Sequence, residues 1–245
     1  MHPVLIIALA NLILTAAAML QAVAGFGFNL VAVPLLVLLY PPAVSVPALT
    51  LAWIPVGCFL TLDTWHRVSW GRVARLFGAA LFGLPLGALA LKLMPAEPMK
   101  VAIGLVTLAL AALLWRGAGR RWKREGPAIA GVGFVSGVLG GATAMSGPPA
   151  VLFGLNQEWE VRGFRADLLA YFTLLSLAAL PAYAPMGLLS GASLRLLVRI
   201  LPGLAIGFGA GLWLSRRTSP QRFRRLAFVI LFASGLLPVL AAVVR

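Results

Sequence analysis

Residues 127–156 read PAIAGVGFVSGVLGGATAMSGPPAVLFGLN, with no Asp, Glu, Lys or Arg among them. A helix that crosses a bilayer takes about 20 apolar residues at about 1.5 Å each. This run is too long for one such helix and too short for two. Gly140-Gly141 and Ser146-Gly147-Pro148-Pro149 interrupt it. The run 4–40 has the same character and is interrupted at Gly25-Phe26-Gly27. A break of this kind inside a membrane is costly unless protein or water satisfies the freed backbone groups.

On either side of these two, further apolar runs cover 43–64, 73–94, 98–116, 166–189, 193–215 and 223–244, most of them one crossing long. Of 245 residues, 61% are hydrophobic and 11% charged, against about half and about a quarter in a soluble domain. So few charges do not cover a soluble globule. One cysteine, Cys58, excludes a disulfide scaffold, and the apolar content excludes disorder. The 17 prolines and 26 glycines are compatible with membrane helices. Ala16-Ala17-Ala18 looks like a signal-peptide cleavage site, but the run continues far beyond it and has no basic leader. The expected fold is an all-α polytopic membrane protein of about eight transmembrane helices, with glycine-broken or re-entrant first elements in each half.

The two long runs look related. Gly25 and Pro34 are spaced as are Gly140 and Pro149; Gly83 and Gly87 match Gly203 and Gly207, and Arg75 falls on Arg195. These features keep their order. They predict two homologous halves, 1–116 and 127–245, joined by a basic cytoplasmic linker at 117–126.

The net charge of +14 suggests nucleic acid only until its distribution is read. Fifteen of the 20 Lys and Arg lie in four short segments between apolar runs: Arg67, Arg72 and Arg75; Arg116, Arg120, Arg121, Lys123 and Arg124; Arg162 and Arg165; Arg216, Arg217, Arg222, Arg224 and Arg225. That is the positive-inside pattern, with the lipid bilayer as partner and no nucleic acid. Oligomeric state is not legible. Orientation depends on 127–156. Crossing once puts seven basic residues outside, whereas entering and returning as a hairpin keeps them inside. The positive-inside rule favours the hairpin, with arms 127–139 and 148–156 short of the core, and hence an inverted repeat.

The residues after each break suggest a site. Ser146 before Pro148-Pro149 has the pattern of a helix start, an N-cap side chain with proline in the first turn, and Asn29 before Pro34 is a weaker version. A helix starting near mid-membrane aims N–H groups and a positive dipole end into the interior, which suits an anion. Two such ends are expected to build a pseudo-symmetric site between the halves. The candidate binding residues are Gln21, Gly25, Gly27, Asn29, Gly140, Gly141, Thr143, Ser146 and Tyr171. Thr50, Ser136 and Thr173 are further polar residues near the breaks. Gly133-x3-Gly137-x3-Gly141 and Gly203-x3-Gly207-x3-Gly211 read as close-packing stripes.

Asp63, Glu97, Glu125, Glu158, Glu160 and Asp167 all fall at run ends or in loops. Without a carboxylate in mid-span, cation coupling through a buried acid is not expected. An inside-negative potential favours anion efflux by about 2.3 kcal/mol per charge per 100 mV, enough to drive export alone. Enzyme readings fail. His2 and His66 sit at membrane edges, GxSxG is absent, and Gly25-Phe26-Gly27 lacks the third glycine of a dinucleotide loop. No cofactor or metal is expected.

The stretch Gln21 to Leu36, with Gly25, Gly27 and Pro34, resembles the first signature of the sulfite exporter TauE/SafE family. Gly133 to Pro149 resembles its second-half counterpart. The stretches His66-Arg67-Val68-Ser69-Trp70 and Arg162 to Phe172 are similar to members as well. Phe26 and Phe28 depart from the denser glycine run of many members. The resemblance implies a bacterial-type inner-membrane permease for sulfite, sulfonates, other organosulfur anions or organic acids. Arg165 reads either as an anion attractor at the cytoplasmic mouth or as a positive-inside anchor. An anion channel and a non-transporting assembly partner are the competing classes.

Overall fold

The computed structural model describes residues 3–24, 27–116, 125–215 and 232–241, and these are helical nearly throughout. In chain order they form α1 (Pro3–Ala24), α2 (Phe28–Leu36), α3 (Pro42–Thr64), α4 (Trp70–Leu93) and α5 (Ala96–Arg116). These are followed by α6 (Glu125–Thr143), α7 (Gly147–Asn156), α8 (Val161–Tyr183), α9 (Gly191–Ser215) and α10 (Phe232–Ala241). Among the described residues seven helices are long and apolar enough to cross a membrane, and α10 is a shorter apolar one. The protein is a polytopic membrane protein. The basic segments around 120–124 and 216–225, and Gly25, lie outside the described residues.

The order of a long helix, a break, a short helix and then long helices occurs once before residue 116 and again after 125. One expectation needs correction. The helix before the second break does not stop near residue 139. Gly140 and Gly141 are helical, and α6 runs on to Thr143. Its 19 residues amount to about 28 Å, a full crossing by length, so it is not the short arm that the hairpin reading requires. The physical reason is packing: a glycine weakens a helix only if nothing replaces its lost contacts, and here backbone does.

The helices group into two compact units. One comprises Met1–Leu49, Met94–Ala111 and Ser190–Arg245; the other Thr50–Leu93 and Ala112–Leu189. Each unit thus draws helices from both sequence halves. In the first, α1 packs on α9. A Cβ on Gly203 or Gly207 would overlap the carbonyl oxygen of Asn11 or Thr15. Polar bonds reinforce the contact: Asn11 donates to the Arg199 carbonyl at 2.9 Å and accepts from the Gly203 amide at 2.7 Å, and Thr15 donates to the Gly203 carbonyl at 3.1 Å. In the second unit, α4 packs on α6 with glycines on both sides. Gly87 faces the Val138 carbonyl, Gly137 that of Ala80, and Gly141 that of Leu84, each too close for a side chain. Both stripes therefore serve helix packing.

Candidate functional site

Each unit contains one helix break. In the first unit the break lies between α1 and α2. Gly27 sits at φ 105°, the left-handed region that glycine alone adopts cheaply. A Cβ there would meet Leu20 at an ordinary 3.4 Å, so Gly27 is required for conformation, not for space. Gln21, buried in the last turns of α1, reaches across the break and accepts the Phe28 amide at 3.2 Å. The cap of α2 is thus Gly27 backbone and the Gln21 side chain. Asn29 is not the N-cap; it lies inside the first turn, and Pro34 is inside the helix. Seven of the nine residues of α2 are buried. Its first turn contains no proline and keeps every N–H.

The second break is built differently. Ala144 has φ 54°, left-handed although it is not glycine. Such a residue costs about 1 kcal/mol or more and persists only where its surroundings enforce it. Three contacts do so. The Thr143 hydroxyl donates to the Leu139 carbonyl at 2.7 Å and accepts the Met145 amide at 3.3 Å. Tyr183 of α8 donates to the Gly141 carbonyl at 2.9 Å and lies 3.4 Å from that of Gly140. Tyr171 of α8 donates to the Ser136 hydroxyl at 2.8 Å, and Ser136 in turn donates to the Ser146 carbonyl. Both tyrosines are wholly buried. The Gly141 carbonyl, freed at the end of α6, therefore has a hydroxyl partner in Tyr183.

Ser146 occupies the N-cap position of α7 but makes no side-chain cap bond. An N-cap side chain accepts from the amide two or three residues on, and here those positions are Pro148 and Pro149, which have no N–H. The same two prolines remove N–H groups from the positive end of α7. The anion-binding character expected there is correspondingly reduced.

Between the break and α8 lies a small cavity lined by Thr50, Leu84, Gly140, Ala144, Ser146, Leu175, Ser176 and Ala179. About 10 Å³ of it is open to the centre of a water molecule, room for roughly one water. All its lining residues belong to the second unit. Of the predicted residues, Gly140 and Ser146 line it. Thr143 and Tyr171 hold the break, and Gly141 is turned to α4. Gln21, Gly27 and Asn29 belong to the first unit, at its own break. Thr173 bonds Thr61 at 3.1 Å.

Sequence reading misses Ser176, Tyr183 and a buried charge pair. Asp167, at a run end in sequence, is only 2% exposed in α8. It accepts the Ser69 amide at 2.6 Å and pairs with Arg72 at 3.0 Å. The Arg72 guanidinium lies 4.5 Å over the Trp159 ring, which itself stands edge-on to Phe153 and Phe164. One pair thus ties the start of α4, the α7–α8 loop and α8 together. A signal exists: Asp167, Tyr171, Leu175, Ala179 and Tyr183 recur every four residues, the spacing of one helix face, and all are buried.

Compared with known proteins, residues 10–237 match the model of the family described as sulfite exporter TauE/SafE. No curated protein matches, and no solved structure does.

Proposed function

The chain belongs to the sulfite exporter TauE/SafE family, and on that basis we propose that it exports a small anion by alternating access across a bacterial-type inner membrane. Sulfite, a sulfonate or another organosulfur or organic anion is the proposed substrate, and the two halves are proposed to be an inverted duplication. The observation that carries the reading is the start of α2. It is a helix start buried in an apolar unit, turned by a left-handed glycine, with N–H groups throughout its first turn and the Gln21 amide beside it. The positive end of a helix placed there favours an anion in a medium that offers it little other solvation. Gln21, Gly25, Gly27 and Asn29 are the proposed anion contacts. Gly140, Thr143, Ser146 and Tyr171 shape the second break, and Gly141 serves packing beside it.

Proteoliposomes loaded with sulfite test the proposal. Saturable efflux, faster with the inside negative, is the expected result. Gly27→Leu is expected to cut it by about tenfold or more, since a side chain in the left-handed region costs about 1–2 kcal/mol and bulk is added at the anion. Flux that rises linearly with concentration would mark a channel. No flux of sulfite, thiosulfate, sulfonates, sulfate or small carboxylates from folded protein would overturn the reading.

A further inference from the structure

Contacts within the second unit fix the direction in which each arm of the second break runs. Glycines of α6 meet α4 in rising order on both helices: Gly133 against Leu76, Gly137 against Ala80 and Gly141 against Leu84. α6 therefore runs parallel to α4. It runs parallel to α8 as well, since Ser136 bonds Tyr171 and the Gly141 carbonyl bonds Tyr183. α7 runs the other way. A Cβ on Gly147 would meet the Phe172 ring at 3.2 Å, and one on Gly154 would overlap the Phe164 ring, so numbers rise along α7 as they fall along α8. The chain turns back sharply: the Ser146 carbonyl accepts from Ser136 of α6, and a Cβ on Gly140 would lie 3.2 Å from that of Ser146.

The end of α7 arrives where α4 and α8 begin. Trp159 stands edge-on to Phe153 of α7 and Phe164 of α8, with Arg72 of α4 over its ring. Asp167 of α8 accepts the Ser69 amide, just before α4, and pairs with Arg72. α6 starts at this end too. Glu125 precedes Gly133 by about 12 Å of helix, and Trp70 precedes its neighbour Leu76 by about 9 Å. The same end holds Arg67, Arg72, Arg75 and Arg165, whereas Lys92 stands in the last turn of α4, at the other end. Asp63, Glu125, Glu158 and Glu160 lie on the arginine side as well. Sidedness follows Lys and Arg, however, and not the net charge.

We propose that α6–α7 is a re-entrant pair that enters from the cytoplasmic face, turns at Ala144 and returns to the same face, so that the α7–α8 loop and Arg165 are cytoplasmic. The length of α6 does not oppose this, because the direction of α7 decides on which side the chain emerges. Broken backbone at membrane depth is tolerated where protein buries it, and hydroxyls of Ser136, Thr143 and Tyr183 bond the backbone around this turn. The second break is therefore the anchored tip of a hairpin and not a link in a spanning helix. For an exporter, the face that holds Arg165 is the loading side. The placement itself does not rest on the anion reading.

Single cysteines in a Cys58→Ala background test it. Right-side-out and inside-out membrane vesicles are treated with a membrane-impermeant maleimide, and detergent-opened vesicles give the full label for each variant. His66→Cys on the segment before α4, Glu158→Cys in the α7–α8 loop and Arg165→Cys on α8 are all at exposed positions, as is Ala184→Cys beyond the end of α8. The first three are expected to label in inside-out vesicles and to lose the label in right-side-out ones, with Ala184→Cys the reverse. Glu158→Cys and Arg165→Cys labelled from the face opposite to His66→Cys would overturn the proposal, because α6–α7 would then cross once. All three labelled from outside would overturn the cytoplasmic placement, and equal label from both faces would overturn it too. Anion flux is measured separately, and its absence leaves the labelling result as it stands.

Discussion

The two helix breaks look alike in sequence, a small-residue interruption followed nine positions on by proline, yet they are held by different means. At α1–α2 a left-handed Gly27 makes the turn and one side chain, Gln21, caps the next helix. At α6–α7 a left-handed Ala144 makes the turn, hydroxyls from Thr143, Ser136 and Tyr183 bind backbone groups beside it, and Tyr171 donates to Ser136. The first helix start keeps its N–H groups; the second has two prolines in their place. The first start therefore retains more backbone donors than the second. The anion-binding character of a broken-helix start thus depends on the residues of its first turn, not on the break as such.

The most severe test asks whether α8 braces the second break. Asp167→Ala leaves Arg72 without its partner and the Ser69 amide without its acceptor. Arg72 is a quarter exposed and keeps the Ser69 hydroxyl and the Trp159 ring, so the cost is that of a buried charge-assisted bond, about 3 kcal/mol, and thermal unfolding in detergent should show the midpoint falling by several degrees. A near-neutral result would mean that the brace is idle and the contrast between the breaks overdrawn. Next come the caps. Gln21→Leu and Tyr183→Phe each remove one bond to backbone at a buried site, at about 1–3 kcal/mol. Because Gln21 is the side chain that caps α2, while Tyr183 is one of several hydroxyls at the other break, denaturant titration should find Gln21→Leu the costlier. The reverse order would mean that the second break is the less well supported. A smaller effect is expected at the turns themselves. Gly27→Ala is expected to destabilise by about 1 kcal/mol, because the left-handed region penalises a Cβ. Ala144→Gly is expected within about 0.5 kcal/mol of wild type, since relief of the same penalty is offset by the greater freedom of the unfolded chain. Equal and opposite shifts of both midpoints would show that the two turns are interchangeable.

Much of the fold is legible in the sequence. Apolar runs of crossing length are the long helices, and the Gly-x3-Gly spacings at 133–141 and 203–211 are the tightest contacts. Both follow from local rules, burial by length and backbone approach through small residues. The second break lies beyond the place that the intrinsic preference of Gly140 and Gly141 indicates, because the α4 backbone at Gly141 and the Leu175 side chain at Gly140 override that preference by filling the space a side chain would take. Ser146 has the pattern of a cap, while the prolines that complete the pattern remove the amides it would bind. Asp167 looks peripheral because it stands at the end of an apolar run. Its partners, Ser69 and Arg72, both stand far away in sequence.

That this protein spans a membrane many times, where its helices lie, and that each half carries an interruption were all decided by the sequence. Hydropathy, spacing and proline chemistry act over a few residues and can be read in one dimension. Tertiary structure decided that Tyr171 and Tyr183 support the backbone beside the second break, that Ser176 and Thr50 reach its cavity, and that the helices of the two halves are shared between two compact units. Those outcomes depend on which side chains arrive from other helices, and a carbonyl satisfied by a distant hydroxyl leaves no trace in its own neighbourhood of the chain.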